Sequence, residues 1–262
     1  MEEHPSLKDA LSPDKTEEER ADALNVLSME WIETYAWAIP SPEALRLVTR
    51  LADSQSLGVV EMGAGKGYWA SLLSAQGVEV AAYDLHVPEE TWHPVEKVGS
   101  LEDVAEVVSS AGQNVLMLCY PDDGEDPDVN AEAPMSYVAL EVFDGEYVVH
   151  VGELLGVGQG YARPGCWGRT TSGMSQAFLA EHFHCVASLE LPSWPTSNDC
   201  ISVWKRTHVV AIPVGDDDDD GDDEDDDDGD EEEEEETLFA WVPEEERLPE
   251  RRAAPAYQFL LS

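Results

Sequence analysis

The stretch Val59-Val60-Glu61-Met62-Gly63-Ala64-Gly65-Lys66-Gly67-Tyr68-Trp69 decides the fold of this 262-residue chain. Its first four residues form an apolar run interrupted only by Glu61, of strand length. Glycines then fall on three alternate positions, and a helical pattern runs on from Lys66. Glycine allows the backbone to adopt positive φ and to approach another group closely. The helix that follows offers backbone N–H groups with no partner of their own. Seventeen residues after Gly67 a second apolar run, Ala81-Ala82-Tyr83-Asp84-Leu85, reaches a carboxylate at Asp84. At such a strand end a carboxylate can accept hydrogen bonds from both hydroxyls of a ribose.

Outward from this core the chain alternates strands and helices. Strands are predicted over 57–62, 78–85, 93–98, 114–120 and 147–151, with helices over 66–76, 101–111, 131–143 and 175–183. Two last strands, 185–191 and 201–205, have only a loop between them and therefore pair antiparallel. Strands separated by helices imply a parallel sheet covered on both faces. Upstream, Thr16-Glu17-Glu18-Glu19 has the form of a capping box opening a helix whose apolar face carries Leu24, Leu27, Trp31 and Tyr35. Ser41 caps a second helix through Leu45, Val48 and Leu51.

Spacing separates two cofactor classes. A dinucleotide-binding GxGxxG needs glycine at 68, where this chain has Tyr68. Glu61-x-Gly63-x-Gly65-x-Gly67 instead resembles the first motif of class I S-adenosylmethionine-dependent methyltransferases. The resemblance implies an α/β fold with a Rossmann-like seven-stranded sheet, mostly parallel, ending in an antiparallel hairpin, with helices on both faces. It also implies S-adenosylmethionine as cofactor and methyl transfer to an acceptor that the sequence does not name. The cofactor-binding set it implies is Glu61, Gly63, Gly65, Gly67, Tyr68 and Asp84, with Asp84 on the ribose. A glycine turn that merely tightens a strand–helix joint is the plainer alternative. A methyltransferase-like domain acting as a non-catalytic interaction module is the alternative at the level of function.

In that family the end of the fourth strand carries an Asn/Asp-Pro-Pro-aromatic motif in enzymes that methylate amide or exocyclic nitrogens. Here the sequence is Cys119-Tyr120-Pro121-Asp122, with one proline and the aromatic residue before it. Tyr120 is the candidate to stack on or orient an acceptor and Asp122 the candidate to take its proton; a strand end turning into an acidic loop accounts for the same residues. Tyr35 and Trp37, ahead of the first strand, are candidate lid residues, although two aromatics two apart diverge on a continuous helix. Glu153, beyond the fifth strand, is a candidate to line the pocket, with a solvated side chain as the plainer alternative. Arg163 and Arg169 lie in a glycine-rich loop and are candidate substrate contacts or partners of local acids. His182 and His184, two apart, do not converge on a metal, and no metal site is expected.

Charge bounds the partners. The chain carries 14 Lys and Arg against 57 Asp and Glu, a net charge of −43. In the run 216–236, 19 of 21 positions are acidic, and removing it leaves −24. Such a surface repels phosphate backbones, so nucleic acid is an unfavourable ligand. The expected organisation is an N-terminal arm over 1–15, one domain over 16–208, an extended acidic tail over 209–236 and a C-terminal segment over 237–262 with short apolar motifs. Basic proteins are the partners such a tail would attract. No apolar run is long enough to span a membrane, the N-terminus lacks the features of a signal peptide, and the four cysteines form no CxxC pair. An intracellular protein, cytoplasmic or nuclear, is expected.

Overall fold

A computed structural model describes residues 12–112, 114–122, 133–154, 170–194 and 197–207. The elements run α1 (Glu17–Thr34), α2 (Pro42–Gln55), β1 (Val59–Met62), α3 (Tyr68–Ala75), β2 (Val80–Asp84), β3 (Val95–Lys97) and α4 (Leu101–Ser110). They continue with β4 (Val115–Cys119), α5 (Met135–Val142), β5 (Tyr147–Gly152), α6 (Gly173–His182), β6 (Phe183–Glu190) and β7 (Cys200–Arg206). Both expected caps form: Thr16 Oγ1 accepts from the Glu19 N–H at 3.2 Å while Glu19 reaches back to Thr16, and Ser41 Oγ accepts from Ala44 at 3.1 Å. Among the described residues no helix is long and apolar enough to cross a membrane.

The sheet has seven strands in the order β3-β2-β1-β4-β5-β7-β6. The first five in that order are parallel, and β7 runs antiparallel to both β5 and β6. This is the expected α/β architecture, with β7 entering between β5 and β6. β3 is only three residues long because, as an edge strand of mixed polarity, it has one partner and little to bury.

Burial explains why the inner strands read as unbroken apolar runs. Val115, Met117 and Cys119 of β4 pack toward α2 and α3, against Leu47, Leu51, Trp69 and Leu73. Leu116 and Leu118, on the opposite face, pack with Val104 and Val108 of α4, Leu140 of α5 and Leu179 of α6. A strand covered on both faces has no polar side to show. The register aligns the carboxyl ends of β1, β2, β4 and β5 along one edge, where β7 begins, since Gly152 pairs with Cys200. Open parallel sheets bind ligands outside these strand ends.

Candidate functional site

The glycine turn after β1 holds three left-handed residues, with φ of 81° at Gly63, 55° at Gly65 and 69° at Gly67. Gly67 is the N-cap of α3, whose first residue, Tyr68, comes two residues after the expected start at 66. The N–H groups of Gly63 and Ala64 both donate to the Tyr83 carbonyl, at 2.9 and 3.0 Å, fastening the turn to β2. Asp84 completes the fastening: Oδ2 accepts from the Gly65 N–H and Oδ1 from the His86 N–H, each at 2.7 Å. Each carboxylate oxygen has a second lone pair, so the group retains capacity for two further donors. The glycines differ in what surrounds them. A Cβ at Gly63 would stand 2.8 Å from Met135 Cε, and one at Gly67 would stand 2.9 Å from Val95 Cγ2. At Gly65 it would meet nothing within 4 Å. Gly65 faces open space.

That space is a cavity of about 400 Å³ outside the ends of β1, β2 and β4. Of the six residues assigned to a cofactor, Glu61, Gly63, Gly65, Tyr68 and Asp84 line it; Gly67 does not. Glu61 is 1% exposed, and its Oε2 has no hydrogen-bond partner. Burial pushes its carboxyl up to about 8, against the opposing effect of a hydrogen bond from the Ala70 backbone, and the nearby Asp84 adds to the rise. Glu61 is therefore neutral at pH 7, a buried acid in the cavity lining with one oxygen unpartnered.

Tyr35 and Trp37 line the same cavity together. Their two-residue spacing does not separate them, because α1 ends at Thr34 and the chain beyond it is not helical. Three indoles from different elements hold this crossing segment. Trp92 Nε1 donates to the Thr34 carbonyl at 2.8 Å, Trp194 Nε1 to Trp37 at 2.8 Å, and Trp69 Nε1 to Ala38 at 3.3 Å. Tyr35 also stacks on Trp92 at 5.3 Å and leans on Tyr68 at 5.0 Å, so the strap is fixed by rings as well as by hydrogen bonds.

At the end of β4, Tyr120 takes a left-handed conformation with φ 49°. This turns its ring into the cavity wall, stacked on Trp37 at 5.9 Å with 16° between the planes. Its hydroxyl donates to Asp199 Oδ1 at 2.5 Å. Burial first, then the Asp199 charge, hold the phenol far above its ordinary range. Asp199 is 3% exposed, and burial raises its carboxyl to about 6.

Asp122 does not face the cavity. Its carboxylate accepts from the Ser136 N–H at 3.2 Å, from the Ser136 hydroxyl and from the Ser172 N–H at 3.2 Å. It thus braces the starts of α5 and α6. Glu153 is buried but outside the cavity lining: Oε1 accepts from the Asn198 N–H at 2.8 Å and Oε2 has no partner. Arg163 and Arg169 lie outside the described residues. Among the described residues no group of three His, Cys, Asp or Glu side chains is arranged to hold a metal.

Sequence reasoning missed Asp199, Trp92 and Trp194. Asp199 stands 79 residues from Tyr120, and only the pairing of β5 with β7 brings them together. The tryptophans lie in loops with no periodic pattern to flag them. Their abundance, eight in the chain, was the available signal.

No protein-family model matches the chain. No curated protein matches it in sequence. Several solved structures are similar to it. An O-methyltransferase from Bacillus cereus in complex with S-adenosylhomocysteine is 12% identical, over 76% of this chain and 95% of that one, with a TM-score of 0.42. The O-methyltransferase of Streptomyces achromogenes involved in tomaymycin synthesis, in complex with S-adenosylmethionine, is 17% identical over 76% and 93%, with a TM-score of 0.43. A 1,6-didemethyltoxoflavin N1-methyltransferase from Burkholderia thailandensis is 20% identical over 75% and 93%, with a TM-score of 0.39.

Proposed function

We propose that this chain is an S-adenosylmethionine-dependent methyltransferase whose cofactor occupies the cavity at the ends of β1, β2 and β4. The observation that carries the proposal is Glu61, a fully buried acid that lines that cavity beside the glycine turn and has one oxygen without a partner. A buried carboxyl group without a partner is unfavourable unless a ligand completes it. The acids Glu33 and Asp84 share the lining with the neutral Glu61, with Lys66 and with His86, and Tyr35, Trp37, Tyr68 and Tyr120 supply aromatic surface. A sulfonium or ammonium cation suits such walls, by charge and by its attraction to ring faces. A pyrophosphate suits them poorly.

Within this reading the parts of the chain divide the work. Asp84 binds the ribose through its remaining lone pairs while its other contacts hold the turn. Gly65 gives the cofactor close access to the backbone. The strap from Thr34 to Ala38 covers the pocket and keeps water out. The cofactor supplies an electrophilic methyl group, and the protein contributes mainly by positioning the acceptor in line with it. Asp122 is a brace in this reading, and the acceptor side is formed by Tyr120 and Trp37.

The tail is a separate device. The acidic run over 216–236 lies outside the described residues and is proposed to attract basic proteins, in a cytoplasmic or nuclear setting. Thermal-shift measurements on the full chain test the cofactor assignment. S-adenosylhomocysteine is expected to raise the melting temperature and NAD to leave it unchanged. The opposite ranking contradicts the assignment.

A further inference from the structure

Two buried carboxylates are left unused by the cofactor reading. Gly152 of β5 pairs with Cys200 of β7, so Glu153 and Asp199, each one residue beyond that pair, stand side by side at the edge of the sheet that carries the cavity. The Glu153 charge is felt at both Asp199 and Tyr120. Among the described residues neither carboxylate has an ion-pair partner, and Glu153 Oε2 has no partner of any kind. Tyr120 connects this pair to the cavity, since its ring lines the wall while its hydroxyl donates to Asp199. Trp37, 52% exposed, lies parallel to that ring.

We propose that this corner is the acceptor subsite, that the acceptor is an amine, and that Tyr120 relays the amine's proton to Asp199. The proposal rests on the cofactor reading above. A protonated amine is drawn by the two carboxylates and by the faces of Trp37 and Tyr120. As the ammonium gives a proton to the Tyr120 oxygen, the Tyr120 hydroxyl passes its own proton to Asp199. The phenol is neutral before and after, as its burial requires. The freed nitrogen lone pair then forms the N–CH₃ bond, and the S–CH₃ bond breaks with its electrons remaining on sulfur. The products are a methylammonium, a thioether and a protonated Asp199, which releases its proton to solvent. Glu153 acts through Asp199: its neighbouring negative charge adds to the burial that keeps Asp199 basic enough to receive the proton. Tyr120 is the catalytic residue here, and Asp199 and Glu153 position and tune it.

The test uses the full chain and a matched set of probes, benzylamine, benzyl alcohol and benzoate. Calorimetry first measures S-adenosylhomocysteine binding, and failure there counts against the cofactor reading alone. On the saturated protein, benzylamine is expected to bind at least tenfold more tightly than the alcohol or the acid. With S-adenosylmethionine, only benzylamine is expected to yield S-adenosylhomocysteine. Tyr120→Phe and Asp199→Asn are each expected to lower that rate at least tenfold while cofactor affinity stays within twofold. Glu153→Gln leaves the Tyr120–Asp199 contact in place and is expected to move the acid limb of the pH–rate profile to lower pH. Preference for the alcohol or acid, full activity of both relay variants, or a pH profile unmoved by Glu153→Gln would each overturn the proposal.

Discussion

Replacing Glu61 by Gln should favour the folded protein progressively more as pH rises. In the unfolded chain this carboxyl ionises near 4.5, whereas in the fold burial holds it protonated up to about 8. Between those values folding takes up a proton. The stability associated with the neutral acid is fully present below 4.5 and is progressively lost as pH rises through about 8. Each pH unit in that window corresponds to about 1.4 kcal/mol, so from pH 5 to 7.5 the wild-type chain loses on the order of 3 kcal/mol through this group. Glutamine has nearly the same shape, can still accept from the Ala70 backbone and does not titrate. Its amide leaves two N–H donors without a partner where the neutral acid leaves one O–H, a penalty of about 1–3 kcal/mol that is constant with pH. The informative quantity is therefore the difference between variant and wild type. Denaturant unfolding at pH 5, 6.5 and 7.5 should show it changing by about 3 kcal/mol in favour of the variant, or roughly 6–12 °C in melting temperature for a domain of this size. The many other carboxylates cancel in the comparison. A difference that does not change with pH would refute the claim that Glu61 is held neutral by burial.

Three further outcomes follow from the site. Asp84→Ala should weaken S-adenosylhomocysteine binding by about 1.5–3 kcal/mol in calorimetry. It should also lower the melting temperature, because the Gly65 and His86 N–H groups lose their acceptor. Trp92→Phe and Trp194→Phe each remove one hydrogen bond to the strap, worth about 1 kcal/mol. Both should speed hydrogen exchange over 34–38 and weaken cofactor binding, and unchanged exchange would show that the indoles do not hold it. Deletion of 216–236 should leave melting temperature and cofactor affinity unchanged but abolish low-salt capture of basic proteins. Loss of folding in that deletion would contradict the separation of tail from domain.

What was legible in the sequence tracks the range over which each residue acts. The capping box at Thr16, the Ser41 cap and the glycine turn are local, so their spacing alone placed them. β4 and β5 were readable because burial on both faces leaves apolar residues throughout β4 and, in β5, at all positions but His150. Three features depend on distant partners and were not readable. Tyr35 and Trp37 share the cavity because α1 stops at Thr34, with Tyr35 in a non-helical conformation and its N–H bonded back to Trp31. Asp122 looked like a proton acceptor, but the N-terminal turns of α5 and α6 converge on it and use its lone pairs. Asp199 gained its relation to Tyr120 only when β7 inserted beside β5.

The central claim, that the cavity beside Gly65 and Glu61 holds S-adenosylmethionine, is tested most directly by isothermal titration of the full chain. The account predicts one site with micromolar affinity for S-adenosylhomocysteine, no measurable heat with NAD, and a binding signal lost in Gly65→Val that remains folded. Tight binding of the dinucleotide, or no binding of either nucleoside cofactor, would contradict it.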